Sequence, residues 1–293
     1  MGPGGYAANI PEFVALPTNA IAKVREQFLD DYSYVRAADE FFSEGDGKNV
    51  AEKYRLTLSM NPDDYVAQHN LGVLLYGAKR QEEAMPHLQA AVRIEPHNPL
   101  ARLALGSALS GRGDLSNAIV QFEEGLRWVS NETARQGETA QHAVPEALHY
   151  NLGSALDLTG NLTNAEQHYR IALQLAPAYP EAHIGLGTLL LRTGRLEEAE
   201  EHFAQGLKFQ PQSAPAHNGL GMVRQRQNRM AEALACFQEA AQCDPNDWHP
   251  HLNLANAYLS GGDRDKAIPE LRETLRLAPS CEPARRALAK ALQ

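Results

Sequence analysis

Histidines recur along the chain at an interval that invites comparison with a repeated metal ligand. His149, His183, His217 and His251 are 34 residues apart, and each lies three residues before a leucine. Imidazole nitrogens bind zinc, but a site needs three or four ligands that converge on one ion. One histidine per repeat, on a helix face that packs against a partner helix, does not converge in this way, and the H-x-H pair of His249 and His251 points to different helix faces. We therefore predict no metal site.

Asparagines recur near the same leucines and have the chemistry to hold a peptide backbone. Asn70, Asn151 and Asn253 directly precede a leucine or its equivalent, and Asn218 lies one residue earlier in its own unit. A carboxamide is both donor and acceptor, so it can pair with a peptide bond whatever the peptide's sequence. Helix periodicity places four further side chains beside them on the same inner side, namely His69, Tyr150, Arg192 and Arg226.

Motifs of catalysis are missing from the sequence. It contains no Gly-rich phosphate loop, nucleophile elbow, HExxH or CxxC motif. The acidic pairs Glu82-Glu83 and Glu197-Glu198 fall at the start of predicted helices, where they complement the helix dipole without any chemical role. We therefore predict that the chain is not an enzyme and uses no cofactor.

A period of 34 residues defines the elements that must position these side chains. Four markers keep this period over six units: Leu-Gly, an alanine thirteen residues after the leucine, a bulky apolar residue four positions further on, and a closing proline. Small residues let two helices approach closely, the bulky residue fills the space between them, and proline ends a helix. Turn residues such as Gly160 and Gly194 separate the two helices of a unit. The bulky apolar residues are Leu88, Phe122, Tyr169, Phe203, Phe237 and Leu271.

These markers resemble the signature of the tetratricopeptide-repeat (TPR) family. The resemblance implies an all-α fold, a TPR α-solenoid in which antiparallel helix pairs form a right-handed superhelix. It also implies a non-catalytic role in protein–protein interaction, since TPR proteins bind extended peptides on the inner face of their first helices. The units predicted from the markers are residues 65–98, 99–132, 146–179, 180–213, 214–247 and 248–281.

The rest of the chain is assigned around these units. A seventh, weaker unit at 31–64 keeps Tyr54 and Pro62, so the predicted TPR region is 31–281. Residues 1–30 form an N-terminal extension, whose second half is either a leader helix covering the first repeat or the remnant of a preceding domain. Thirteen inserted residues near 133–145 are expected to extend one helix and then form a loop. Residues 282–293 are predicted to be a C-terminal capping helix.

The asparagine pattern is similar to the ladder in the TPR region of O-linked N-acetylglucosamine transferase, where carboxamides hold the backbone of a bound peptide. That resemblance implies a peptide site on the inner side of the first helices. The ladder is incomplete, because Ala104, Gly185 and Gly219 occupy other rungs. The alternative is that asparagine is a filler copied with the repeat. The lysines of the TPR clamp for chaperone tails are missing in every register, so a chaperone-tail adaptor is not expected.

Charge and composition limit the classes of partner. The chain has 27 Lys and Arg against 36 Asp and Glu, a net charge of -9. Phosphate binding needs clustered positive charge, so we expect neither a nucleic-acid partner nor an anionic membrane surface. No run of eighteen apolar residues is present, so no membrane span is predicted. The three cysteines are read as free thiols of a reducing compartment, which favours the cytoplasm. The alternative is a region of a secreted or anchored protein, which would have the same composition.

Three functional hypotheses remain from the sequence. The first is a scaffold that binds a protein or an extended peptide through its TPR groove. The second is a self-assembling structural module, hence a homo-oligomer, in which the N-terminal segment or an exposed repeat face binds a neighbouring copy. The third is a regulatory TPR region of a larger protein.

Overall fold

The computed structural model describes residues 46–136 and 144–293. In these ranges every regular element is a helix, and the prediction of an all-α chain of helix pairs is confirmed. None of the described helices combines the length and the apolar character that a membrane crossing requires. The helices are α1 (Asp46–Met60), α2 (Tyr65–Gly77), α3 (Gln81–Ile94), α4 (Pro99–Gly111), α5 (Leu115–Gln136), α6 (Pro145–Leu158), α7 (Leu162–Leu175), α8 (Pro180–Arg192), α9 (Leu196–Phe209), α10 (Ala214–Arg226), α11 (Met230–Cys243), α12 (Trp248–Ser260), α13 (Arg264–Leu277) and α14 (Glu282–Ala291).

The described helices can be placed on the units predicted from the sequence, which stay a prediction. Each predicted unit from residue 65 onward contains two helices, and α14 falls within the predicted capping segment. Helix α5 continues to Gln136, which lies in the segment near 133–145 that was predicted to be inserted. The N-terminal extension at 1–30, the first helix of unit 31–64 and the loop expected at 137–143 lie outside the described residues.

A residue in the left-handed region of backbone space separates the two helices of each pair. Gly160 and Gly194 have φ values of 85° and 83°, and helices end before both, as the turn signals predicted. Asn228 and Lys79 take the same position with φ values of 62° and 60°. Glycine adopts this conformation without a steric penalty, so it is the residue that suits the turn best.

In two neighbouring repeats, the bulky residue of the second helix packs against glycines of two first helices. Phe203 of α9 is fully buried. A Cβ placed on Gly187 of α8 would lie 3.1 Å from the Phe203 ring, and one placed on Gly219 of α10 would lie 2.3 Å from it. Tyr169 occupies the equivalent position of the preceding repeat and stands in the same relation to Gly153 and Gly185. One aromatic ring therefore fixes both the pairing within a repeat and the contact with the next repeat.

By packing, the chain divides into two compact units, of which the described parts are 46–108 and 109–293 without 137–143. In the first, α1 packs on α2 and α2 on α3, with Leu71, Leu75 and Leu88 almost fully buried. In the second, α6 pairs with α7, α8 with α9, α10 with α11 and α12 with α13. Helix α14 closes this second unit, because its Ala284 packs with Leu271 in a shared cluster.

Candidate functional site

The first helices of the second unit form one continuous row in which α8 contacts α6, α10 contacts α8 and α12 contacts α10. We call the solvent-facing side of α6, α8, α10 and α12 the first-helix face. Polar bonds run along it from one repeat to the next, and each joins residues 35 positions apart. They are Arg192 to Asp157, Arg226 Nη1 to the Leu191 carbonyl (2.7 Å) and Asn253 Nδ2 to Asn218 Oδ1 (2.8 Å).

Two of the four predicted asparagines lie together on this face. Asn218 and Asn253 are both half-buried, and Asn253 Nδ2 donates to Asn218 Oδ1. A carboxamide has two donor hydrogens and two acceptor lone pairs, so this single bond leaves the Asn218 amino group and the Asn253 oxygen available for further pairing. A donor and an acceptor are thereby presented side by side, which is the complement of a peptide bond.

The other two predicted asparagines do not join this pair. Asn151 is 4% exposed, and its Nδ2 donates to the carbonyl of Ala147 at 2.9 Å in its own helix. Its carboxamide is therefore bonded to the backbone of its own helix α6, whereas the sequence predicted that it would be available to a peptide. Asn70 belongs to the first compact unit, where its Nδ2 donates to the hydroxyl of Tyr54 at 3.1 Å.

The predicted neighbours His69 and Tyr150 are both part of local packing. His69 Nδ1 is buried and has no hydrogen-bond partner among the described residues, and burial lowers the pKa of His69 to about 4. Its ring stacks on Tyr65 with centroids 5.6 Å apart. Tyr150 packs between Tyr169 and Tyr179, with centroids 6.0 and 5.2 Å away. Both side chains are half-buried, so neither presents a whole ring to solvent.

The predicted arginines are exposed and end two neighbouring first helices. Arg192 is the last residue of α8 and Arg226 the last residue of α10. Arg226 holds the carbonyl of Leu191, the residue next to Arg192, while Arg192 forms an ion pair with Asp157. Cations at helix C-termini interact favourably with the helix dipole. Arg226 has no acidic partner among the described residues, so it leaves a positive charge on the first-helix face.

Three of the repeated histidines, His149, His183 and His251, contact their partner helices, whereas His217 bonds the Pro211 carbonyl. Nδ1 of His149 lies 2.9 Å from Nδ1 of His168, and the two histidines of the next repeat, His183 and His202, are 3.0 Å apart in the same way. In each pair the second histidine follows the first by 19 residues. Burial is the main cause that lowers the pKa of all four imidazoles. Within the described ranges no three ligand-type side chains come together as a metal site would require.

Ion pairs join neighbouring repeats, and they were not predicted from the sequence. Arg195 pairs with Glu198 of its own helix pair and with Glu166 of the preceding repeat. Arg229 repeats the arrangement 34 residues later, with Glu232 and Glu200. The repeated R-x-x-E at this spacing was the available signal. Because this motif lies at the start of a second helix, its glutamate is already explained by a favourable interaction with the helix dipole. The motif alone therefore did not predict an ion pair with the preceding repeat.

Comparison with known proteins identifies the family. Two sequence profiles, each described as tetratricopeptide repeat, match residues 158–222 and 225–291, and residues 35–99 and 132–182. The chain belongs to the TPR family, and the predicted TPR solenoid is confirmed. A search of curated protein sequences finds no match.

Solved structures with the same fold are distant in sequence. The crystal structure of the APC/C hetero-tetramer Cut9-Hcn1 matches 94% of this chain with a TM-score of 0.75 and 17% identity, and this chain spans about half (51%) of that one. A tetratricopeptide repeat protein from Parabacteroides merdae matches 90% of this chain and 99% of its own length, with a TM-score of 0.63 and 15% identity. Pseudomonas aeruginosa pilF matches 77% of this chain and 97% of its own, with a TM-score of 0.60 and 19% identity.

Membership of the TPR family indicates the general class of protein to which this chain belongs. TPR solenoids serve as scaffolds for protein interaction, and the fold is typically non-catalytic. Similarity at these levels of identity concerns the fold alone. The chemistry of any particular partner must therefore be argued from the side chains of the first-helix face.

Proposed function

We propose that the protein is a non-catalytic scaffold that binds an extended peptide segment of a partner protein along the first-helix face. The observation that carries the proposal is the hydrogen-bonded pair of Asn218 and Asn253, which presents a free amide donor and a free carbonyl acceptor. Half-buried apolar side chains lie on the same row of first helices, namely Ile184 on α8, Met222 on α10 and Leu252 on α12. Backbone pairing with adjacent apolar contacts is how extended peptides are commonly held.

Site-specific crosslinking tests which face binds. A photoreactive amino acid replaces Thr188, which is exposed on first helix α8, and in a matched variant it replaces Glu201, which is exposed on second helix α9. After irradiation in cell extract, the crosslinked partner segments are sequenced by mass spectrometry. We expect the Thr188 variant to give crosslinks that cluster in one short segment of a partner and the Glu201 variant to give none to that segment. Equal labelling from both positions would contradict the proposal.

Self-association is a second candidate, favoured by a specific apolar surface. In the first compact unit, Leu56, Met60 and Val66 are 58%, 60% and 58% exposed. Three large apolar side chains so close in the chain favour contact with another apolar surface. Sedimentation velocity over a range of concentrations, on the protein and on a Leu56→Ser/Met60→Ser variant, tests this. A concentration-dependent mass that the variant abolishes would support self-association, and a constant monomer mass would contradict it.

A further inference from the structure

Charge is divided unequally between the first and second helices of the two central repeats. First helices α8 and α10 carry three arginines and a single acid, Glu181, which is 9% exposed. Second helices α9 and α11 carry six glutamates and one lysine. The chain as a whole has a net charge of -9. On the first-helix face, however, the part formed by α8 and α10 has no exposed carboxylate. The six glutamates are Glu197, Glu198, Glu200, Glu201, Glu232 and Glu239.

Two of these arginines present unused donors. Arg226 uses Nη1 for the Leu191 carbonyl, and its fork has five N–H donors in all. Arg192 covers Asp157, so that the Asp157 side chain is 12% exposed while the Arg192 side chain is 49% exposed. Asp157 is thus largely covered, while both arginines stay exposed to solvent. A carboxylate is the group that such planar donor sets bind best.

The third arginine, Arg224, is engaged elsewhere. It lies near Glu200 of α9 and Glu232 of α11, with Nε to carboxylate distances of 3.7 and 3.9 Å, and its Nη1 donates to the Cys236 sulfur. Its charge is therefore compensated by the acidic second helices. The exposed guanidiniums of the first-helix face are therefore those of Arg192, which is paired with Asp157, and Arg226, which has no acidic partner among the described residues.

We infer that the peptide held on the first-helix face carries an acidic side chain that binds between Arg192 and Arg226. The inference rests on the proposed function and specifies the chemistry of the partner, an extended acidic segment. Asn218 and Arg226 are eight residues apart on α10, about 12 Å by helical rise. About four residues of an extended peptide cover that distance, so one segment can contact both. The glutamates of α9 and α11 repel such a segment from the second helices and direct it to the opposite face.

Fluorescence anisotropy with defined peptide pools tests the charge preference. The pools are fluorescein-labelled peptides about nine residues long, with mixed neutral residues around a central Glu, Gln or Lys. All three pools are C-terminally amidated, and a fourth, with central Gln, has a free C-terminal carboxylate. We expect the Glu pool to bind about ten-fold more tightly than the Gln pool. The difference should shrink as salt is raised. An Arg192→Gln/Arg226→Gln variant should lose it, whereas Arg264→Gln/Arg272→Gln on α13 should keep it.

The outcomes separate this inference from the proposed function. Equal binding of the Glu, Gln and Lys pools would overturn the acidic preference and leave the peptide face intact. Preference for the Lys pool would overturn it as well. If only the peptide with the free carboxylate gained affinity, a chain terminus would be the ligand in place of an acidic side chain, and the inference would be wrong. Failure of every pool to bind the wild-type protein would contradict both the peptide face and the preference.

Discussion

Asn253 Nδ2 donates a hydrogen bond to Asn218 Oδ1 at 2.8 Å and so joins α12 to α10 across one repeat boundary. The two asparagines do not occupy the same position of the 34-residue repeat, since Asn253 directly precedes Leu254 while Asn218 lies two residues before Leu220. The bond orients the two amides towards each other before any ligand arrives. Such pre-orientation lowers the entropic cost of binding a peptide.

Replacing this pair should weaken peptide binding without loss of fold. In an Asn218→Ala/Asn253→Ala variant, two hydrogen bonds to a peptide of about 0.5–1.5 kcal/mol each are lost, which corresponds to about 5- to 150-fold in affinity if the terms add. The measurement is anisotropy with the peptide pools, after circular dichroism has shown intact helicity. Asn151→Ala is the matched control, because its carboxamide bonds within its own helix and should not contribute. Unchanged affinity in the double variant would show that these amides do not contact peptide.

The contact of Phe203 with two glycines predicts unequal effects of the same substitution. Gly219→Ala places a Cβ 2.3 Å from the Phe203 ring and should destabilise the fold by about 1–3 kcal/mol. Gly187→Ala places it at 3.1 Å, and the gain in helix propensity of about 1 kcal/mol offsets the tighter contact, so the net effect should be small. The free energy of unfolding from urea titrations checks both values.

A double-mutant cycle with Phe203→Leu shows whether the ring is the cause. In the Phe203→Leu background the cost of Gly219→Ala should fall, since the planar ring that meets the new methyl group is gone. If Gly219→Ala cost the same in both backgrounds, the steric argument would be wrong. Gly187→Leu, a larger addition at the tolerant site, should cost about 1–3 kcal/mol in the wild-type background.

The ion pairs between repeats should contribute modestly and depend on salt. Arg229→Gln removes the partner of Glu200 and Glu232, with contacts of 2.8 and 2.7 Å. Because these side chains are screened by solvent, we expect a small loss of stability at low ionic strength that becomes smaller at high salt. Thermal unfolding at two salt concentrations measures it. A loss that does not change with salt would point to packing of the arginine stem as the cause.

The fold could be predicted from the sequence because each marker residue makes a short-range contact and the same contacts recur in every repeat. Leucine, glycine, alanine and the bulky residue each occupy one fixed contact of the repeat, so the Leu-Gly marker alone predicts that Gly187 faces a second helix. Helix ends followed from Gly160 and Gly194 for the same reason. Lys79 in the left-handed turn was not predictable, because lysine has no preference for that conformation.

The candidate site was less predictable because spacing does not determine what a side chain bonds to. Asn151 and Asn253 have the same position relative to their repeats, yet Asn151 is turned into α6 while Asn253 reaches Asn218. Similarly, the bond from Arg226 Nη1 to the Leu191 carbonyl could not be inferred from the sequence, although it leaves the other donors of this guanidinium available. These choices depend on which partner the neighbouring repeat offers, and the 34-residue period does not encode that partner. The predicted set of binding residues stays a prediction.

The paired histidines predict that the fold weakens as pH falls. Burial, with the neighbouring His168 as the second cause, lowers the pKa of His149 to about 4, and burial also lowers the pKa of His183. In the unfolded chain a histidine has its ordinary pKa near 6.5, so the unfolded state binds protons first. Stability is therefore fully present above about pH 6.5 and is lost as pH falls from there towards about 4. Protonation of both rings would also set two N–H donors against each other across 2.9 Å in the His149–His168 pair.

A His149→Gln/His183→Gln variant tests this origin of the pH dependence. It converts both pairs to the Gln–His arrangement that Gln68 and His87 already form at 2.7 Å in the first compact unit. The imidazoles are only partly buried, so solvent screening reduces the effect of their protonation. Between pH 7 and pH 5 we expect the variant to lose about 1 kcal/mol less stability per histidine pair than the wild-type protein. The measurement is the midpoint of urea unfolding across that range, with His249→Gln, which removes an exposed imidazole, as control. If the double variant lost stability as steeply as the wild-type protein, the paired histidines would not be the groups whose protonation destabilises the fold.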